Sequence, residues 1–157
     1  MRESVAAEAI ICGREVNPPR WLARWNGQWN CFHLVGGHKE AEESFRQCMI
    51  REMAEELGVE EGRDFTVSAE PAKHLEYVAW SARAQADTLY TVELFQVEIV
   101  GAAAWAALGQ RQDTRWLTQA EIEAQRSADG KPISPTMGRL LDSIGWQCGS
   151  SDQRVGR

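Results

Sequence analysis

The sequence predicts an α/β (α+β) fold, a mixed β-sheet covered by helices. Three observations predict it. Runs rich in apolar and β-branched residues fill most of the first two thirds, a capped helical segment interrupts them, and helical segments return near the end. The length, 157 residues, fits one domain over residues 1–148 with a short polar piece after it.

Val5–Cys12 is an apolar run that reads as the first strand. Asn17-Pro18-Pro19 marks a turn. Arg20–Trp25 reads as a second strand with Asn26-Gly27 as its hairpin turn, and Trp29–Val35 as a third that runs into Gly36-Gly37. A helix follows over Ser44–Leu57. Ser44-x-x-Gln47 signs its start, because the two side chains satisfy amide groups that a helix end leaves orphaned. Gly58 signs its stop, since a left-handed residue there costs glycine nothing. Phe65–Trp80 holds one long strand or two, broken near Pro71. Thr88–Val100 is the strongest strand, dense in β-branched and aromatic residues. Trp116-Leu117 is a short strand, Gln119–Gln125 a short helix and Ser134–Ile144 a last helix, with Pro135 suited to its first turn. Gly149–Arg157 is polar apart from Val155 and is expected to be a disordered tail.

Apolar residues make up 43% and charged residues 25%, an ordinary globular composition. The net charge of −6 argues against a nucleic-acid duplex as partner, because phosphate backbones select basic surfaces. It remains compatible with a small phosphorylated ligand, since a bound dication inverts the local sign. Met1–Ile11 carries Glu3 and Glu8 and lacks the apolar core of a signal peptide. No window approaches the ~18 apolar residues of a membrane span, so no membrane partner is expected and the location is expected to be cytoplasmic. Cys12, Cys31, Cys48 and Cys148 form no C-x-x-C pair and no zinc spacing with histidine, which predicts four reduced thiols. A homodimer is compatible with all of this.

The helix carries the chemistry. Glu52, Glu55 and Glu56 stand at i, i+3 and i+4, which predicts one shared face, with Ile50, Met53, Ala54 and Leu57 on the other. A solvated acidic face is the usual outcome for such a run. Here, however, three like charges crowd the negative end of the helix dipole, where a hard cation such as Mg²⁺, or Mn²⁺, would relieve them.

From Gly37 the chain reads GHKEAEESFRQCMIREMAEELGV. This resembles the Nudix box, G-x5-E-x7-R-E-U-x-E-E-x-G-U with U aliphatic. Gly37, Glu43, Arg51, Glu52, Met53, Glu55, Glu56, Gly58 and Val59 fill its nine specified positions across twenty-three residues. The order of the other elements, including a late W-L-x-x-x-E-I segment, follows the family more loosely. One departure is Glu42, where many members have glycine before the first box glutamate.

The resemblance implies a mixed sheet sandwiched between helices. It also implies a Mg²⁺-dependent hydrolase, with Mn²⁺ as an alternative metal, cleaving a diphosphate bond in a nucleoside diphosphate linked to another moiety. The implied ligands are Glu52, Glu55, Glu56 and the Gly37 carbonyl. Arg51 and Glu43 would pair and hold the glutamates in register. The family's general base is either a box glutamate, Glu55 or Glu56, or a downstream acid. Glu93 is the downstream candidate, a charge inside the apolar run Tyr90–Phe95 that needs a partner, a metal or solvent.

The base end of a substrate calls for aromatic faces. Trp116 is the first candidate, by analogy with nucleotide-hydrolysing relatives, followed by Trp25, Trp29 and Tyr77; core packing is the ordinary role of each. Tyr77, eighteen residues after Val59, has a spacing that resembles dinucleoside polyphosphate hydrolases. The Ser-Gln-Pro-Trp-Pro-Phe run of NADH pyrophosphatases is absent, and position 74, proline in ADP-ribose hydrolases, is histidine. Two other readings compete. A binding or regulatory Nudix module that does not cleave usually loses box carboxylates, and a GDP-sugar glycosyl hydrolase has a degenerate box, whereas this one is intact.

Overall fold

Two long strands lie side by side and parallel, β1 (Arg2–Ile10) and β8 (Ala86–Ile99), paired from Arg2↔Thr88 to Ile10↔Gln96. Alternation along them divides the molecule. Ala7 and Ala9 of β1 and Phe95, Val97 and Ile99 of β8 enter one apolar cluster, while Ile10, Val92 and Leu94 enter another on the opposite face. The structure, a computed structural model, describes residues 1–148, so the expected tail at Gly149–Arg157 lies outside the described residues.

Between β1 and β8 in sequence lie β2 (Cys12–Val16), β3 (Pro19–Asn26), β4 (Cys31–His33), β5 (Gly36–His38), α1 (Phe45–Leu57), β6 (Phe65–Val67) and β7 (Lys73–Ser81). After them come α2 (Ala102–Gln110), β9 (Thr114–Thr118), α3 (Gln119–Ala124) and α4 (Pro135–Ser143). Strand β5 pairs antiparallel with β1, and β6 and β7 both pair antiparallel with β8. Strands β2, β3, β4 and β9 form a second sheet around β3. Helices α1 and α2 pack on one face of the first sheet. Helices α3 and α4 pack in the other cluster, through Ile122, Met137, Leu140 and Leu141. This is the helix–sheet–helix arrangement the sequence predicts. Among the described residues no helix is long and apolar enough to cross a membrane.

Several details depart from the sequence reading. Val5–Cys12 is not one strand: the chain changes sheets at Ile11, whose carbonyl accepts from Leu22 N at 2.9 Å. The hairpin turn is the four residues Gly27–Asn30, because Asn26 pairs with Cys31. The Asn26 side chain accepts from Gln28 N (3.0 Å) and Trp29 N (3.1 Å), a local closure that asparagine makes readily. The third strand therefore starts at Cys31 rather than Trp29. Helix α2 is an element the sequence reading does not include, although its alanines favour a helix.

Helix α1 has the capping box its sequence predicts, with Ser44 Oγ accepting from Gln47 N (3.0 Å) and Gln47 Oε1 from Ser44 N (2.8 Å). Gly58 ends it at φ 67°. Its buried stripe is Cys48, Met49, Met53 and Leu57, not the expected Ile50, Met53, Ala54 and Leu57; Ala54 is exposed. Glu52 and Glu56 border that stripe, so the three glutamates do not share a free face. Glu55 alone points outward.

Cys12 and Cys148 form a disulfide, with Cα atoms 5.7 Å apart. This corrects the expectation of four reduced thiols; Cys31 and Cys48 are free.

Candidate active site

Strand β5 brings Gly36 and Gly37 against the C-terminal half of α1. A Cβ on Gly37 would lie 2.6 Å from the carboxylate carbon of Glu52, so only glycine lets that side chain fold over the strand. The neighbouring Gly36 N donates to Glu56 Oε1 at 2.9 Å. Cys48 Sγ donates to the Gly37 carbonyl at 3.5 Å. Burial pushes the Cys48 thiol up to about 12, so it stays a protonated donor.

Arg51 holds this corner together. It forks onto Glu43 (Nη2–Oε1 2.6 Å, Nε–Oε2 3.0 Å), reaches Glu52 at 3.0 Å and Glu55 at 3.3 Å, and donates to the His38 carbonyl at 3.0 Å. The fork holds the Glu43 carboxyl down at about 2. Glu52 moves the other way, because burial outweighs Arg51. Glu56 is pushed up to about 7, chiefly by burial, against the Gly36 amide and Arg24, which favour its charge.

A second network, which the sequence reading does not contain, runs to the far side of Glu56. Arg24 Nη1 contacts Glu56 Oε2 at 3.3 Å, and its Nε donates to Asp113 at 3.2 Å. Asp113 also takes both arms of Arg111 (2.8 and 2.9 Å), and Arg111 donates to the carbonyls of Glu56 (3.0 Å) and Leu57 (3.3 Å). Helix α1 has no basic residue in its last turn, so Arg111 supplies from another segment the positive charge that its negative end favours.

Glu56 opens onto a cleft of about 560 Å³ on the face of the first sheet away from α1. Its wall at the other end is aromatic: Tyr77 and Tyr90 stack at 5.2 Å, Trp80 is 60% exposed, and Trp25 and Trp29 stand on the hairpin side. Arg139 lies 4.9 Å over the Tyr77 ring, and Arg83 also lines the cleft. The structure thus brings together Gly37, Glu56, Tyr77, Trp25 and Trp29.

It does not bring in Trp116 or Glu93. Trp116 stacks on Trp105 at 5.5 Å, over a separate depression with Arg14 and Arg20. Glu93 shares the α1 face of the sheet with Ala7 and is taken up by His74, whose Nδ1 is 2.8 Å away. Glu76 and Glu93 together raise the His74 pKa, and His74 is the partner that Glu93 needs. Glu8 is the residue the sequence reading overlooks. It lies in the middle of an apolar strand, the same signal that singles out Glu93, and it faces the cleft, 92% buried beside His33.

A family model for the NUDIX domain matches residues 7–137. The chain belongs to the Nudix family. Its fold is the mixed α/β Nudix fold, and solved structures agree. C. elegans Ap4A hydrolase superposes with a TM-score of 0.59 at 17% identity, covering 93% of this chain and 98% of that one. The Nudix domain of Shewanella oneidensis NrtR, complexed with ADP ribose, gives 0.62 at 15%, covering 93% and 88%. NrtR complexed with a 27mer DNA gives 0.60 at 15% over 89% of this chain, which spans only 59% of that protein's length. At these identities the likeness is one of fold. No curated protein matches the chain.

Among the described residues no three His, Cys, Asp or Glu side chains close around a common point; guanidinium groups stand between the Nudix-box carboxylates. The donor set nevertheless fits a hard dication. Glu52 and Glu56 are half-buried carboxylates whose charge burial disfavours, and oxygen donors of this kind suit such an ion.

Proposed function

We propose that this Nudix protein is a Mg²⁺-dependent hydrolase of a diphosphate bond in a nucleoside diphosphate derivative. The observation that carries the reading is the placement of Glu56, half-buried at one end of a cleft whose other end is aromatic and cationic. Glu52 and Glu56, with Glu55 and the Gly37 carbonyl, would hold the metal. Bound there, Mg²⁺ supplies charge neutralisation to the diphosphate and acidifies water. The chain does the rest. Arg51 orients Glu52 and Glu55, and Arg111, Asp113 and Arg24 fix Glu56 from behind. Glu55 or Glu56 would accept the proton of the attacking water. The aromatic wall offers π-faces to a base, and Arg83 and Arg139 offer charge to phosphate or a second group. Ap4A and ADP ribose, named with the similar structures, both carry adenosine on a phosphoanhydride, which this layout accommodates.

A panel of nucleoside diphosphate derivatives, assayed with Mg²⁺ and followed by product identity, tests the reading. Release of nucleoside monophosphate is the expected result. Free sugar as product would make it a glycosyl hydrolase, and tight binding without turnover would make it a sensing module.

A further inference from the structure

Glu8 has no place in the Nudix box, yet it is positioned as box glutamates are. The alternation of β1 sends Ser4, Ala6 and Glu8 to the cleft, and the two small residues leave the floor open beside the carboxyl. Glu8 pairs across the sheet with Gly36. A Cβ on Gly36 would lie 2.8 Å from the Glu8 carboxylate carbon, while the Gly36 amide donates to Glu56. Two carboxylates from different strands of sequence therefore meet at one glycine.

Only one of the Glu8 oxygens is accounted for. Oε1 is 3.6 Å from His33 Nε2; Oε2 is buried and has no hydrogen-bond partner among the described residues. Arg24, which lines the same cleft, is already shared between Glu56 and Asp113. A carboxylate in this position is costly without a partner, and uncharged residues of similar size would fill the strand at no such cost. The charge of Glu8 also contributes to the upward shifts of Glu52 and Glu56, so all three glutamates feel one another.

We propose that Glu8 is a further carboxylate ligand for a divalent cation, shared with Glu56 on the cleft side of Gly36. This rests on the metal reading of the Nudix box above and extends it to the first strand. His33 lies beside the other oxygen, and the unpartnered Oε2 would be the ligand atom. Glu8 thereby adds a negative ligand between the box and the substrate cleft, where diphosphate oxygens are to be bound.

The test is Mn²⁺ binding to the metal-stripped full chain without substrate, followed by the electron paramagnetic resonance signal of free Mn²⁺. Glu8→Gln is expected to lose one bound ion or to bind at least about tenfold more weakly, the lower end of what disturbing groups around a metal costs. Metal-free, it is expected to melt at or above wild type, since a partnerless charge is removed. Glu8→Asp keeps the charge, shortens the reach and is expected to bind more weakly too, which covers the case in which Glu8→Gln fails to fold. Glu56→Gln is the reference. If Glu56→Gln weakens binding while both Glu8 variants bind like wild type, Glu8 is no ligand and the inference is overturned with the box reading intact. If Glu56→Gln also binds like wild type, the box reading falls with it.

Discussion

Replacing Glu56 by glutamine isolates the cost of keeping a charge at this half-buried position. The fold moves this carboxyl from 4.5 to about 7, which at ~1.4 kcal/mol per unit is roughly 3 kcal/mol. Glutamine retains an oxygen for the Gly36 amide, and the opposing pull of Arg24 on the charge is already contained in that shift. The metal-free variant should therefore be more stable than wild type by about 3 kcal/mol at pH 8, or ~6–12 °C in melting temperature. The sign depends on pH. Between pH 4.5 and 7 the folded wild type keeps a proton that the unfolded chain releases, so wild-type stability falls as pH rises through that window. Below pH 4.5 Glu56 is protonated in both states and the advantage of the variant disappears. Urea and thermal melts in EDTA at pH 4 and pH 8 measure both. Turnover with saturating Mg²⁺ should meanwhile fall by at least ~100-fold, since a metal supplies several kcal/mol to the transition state. A variant no more stable than wild type at pH 8 would refute the burial argument, and one with full turnover would refute the site.

Arg51→Ala should lower kcat by ~100-fold with little change in KM, because it releases Glu52 and Glu55 from register; a raised KM at constant kcat would mean that Arg51 binds substrate. Arg111→Ala should cost about 1–2 kcal/mol in urea unfolding, through its lost bonds to the carbonyls that end α1, and a neutral result would show that end to be satisfied by water. Trp80→Ala should raise KM by ~5- to 150-fold if its face stacks on a base, with an unchanged melting temperature because the ring is 60% exposed; an unchanged KM would move the base elsewhere in the cleft.

Helix α1 is legible from sequence because its signals are local: a capping box, a C-terminal glycine and glutamates fixed by helical spacing. The strands are legible from composition for the same reason. What sequence hides is what other segments impose. Glu52 and Glu56 border the core, not open solvent, because β5 lies over them, and no periodicity within the helix shows that. Arg111 reaches the Glu56 carbonyl from 55 residues away, and Cys12 meets Cys148 across 136. Trp116 and Tyr77 look alike as aromatic strand residues; only pairing places Tyr77 in the cleft and Trp116 against Trp105. Glu8 was within reach, since a lone charge in an apolar strand is visible without a structure.

The hairpin of β7 and β8 supplies Tyr77, Trp80, Arg83 and Tyr90 to the cleft, and none of the glutamates of α1. On the proposed reading, bond-breaking and a large part of molecular recognition would be written in separate stretches of chain joined by the sheet. On that reading, residues 77–90 could be rewritten for a new substrate while the glutamates of α1 stay untouched. An engineer can graft the same stretch between family members and ask whether preference travels with it.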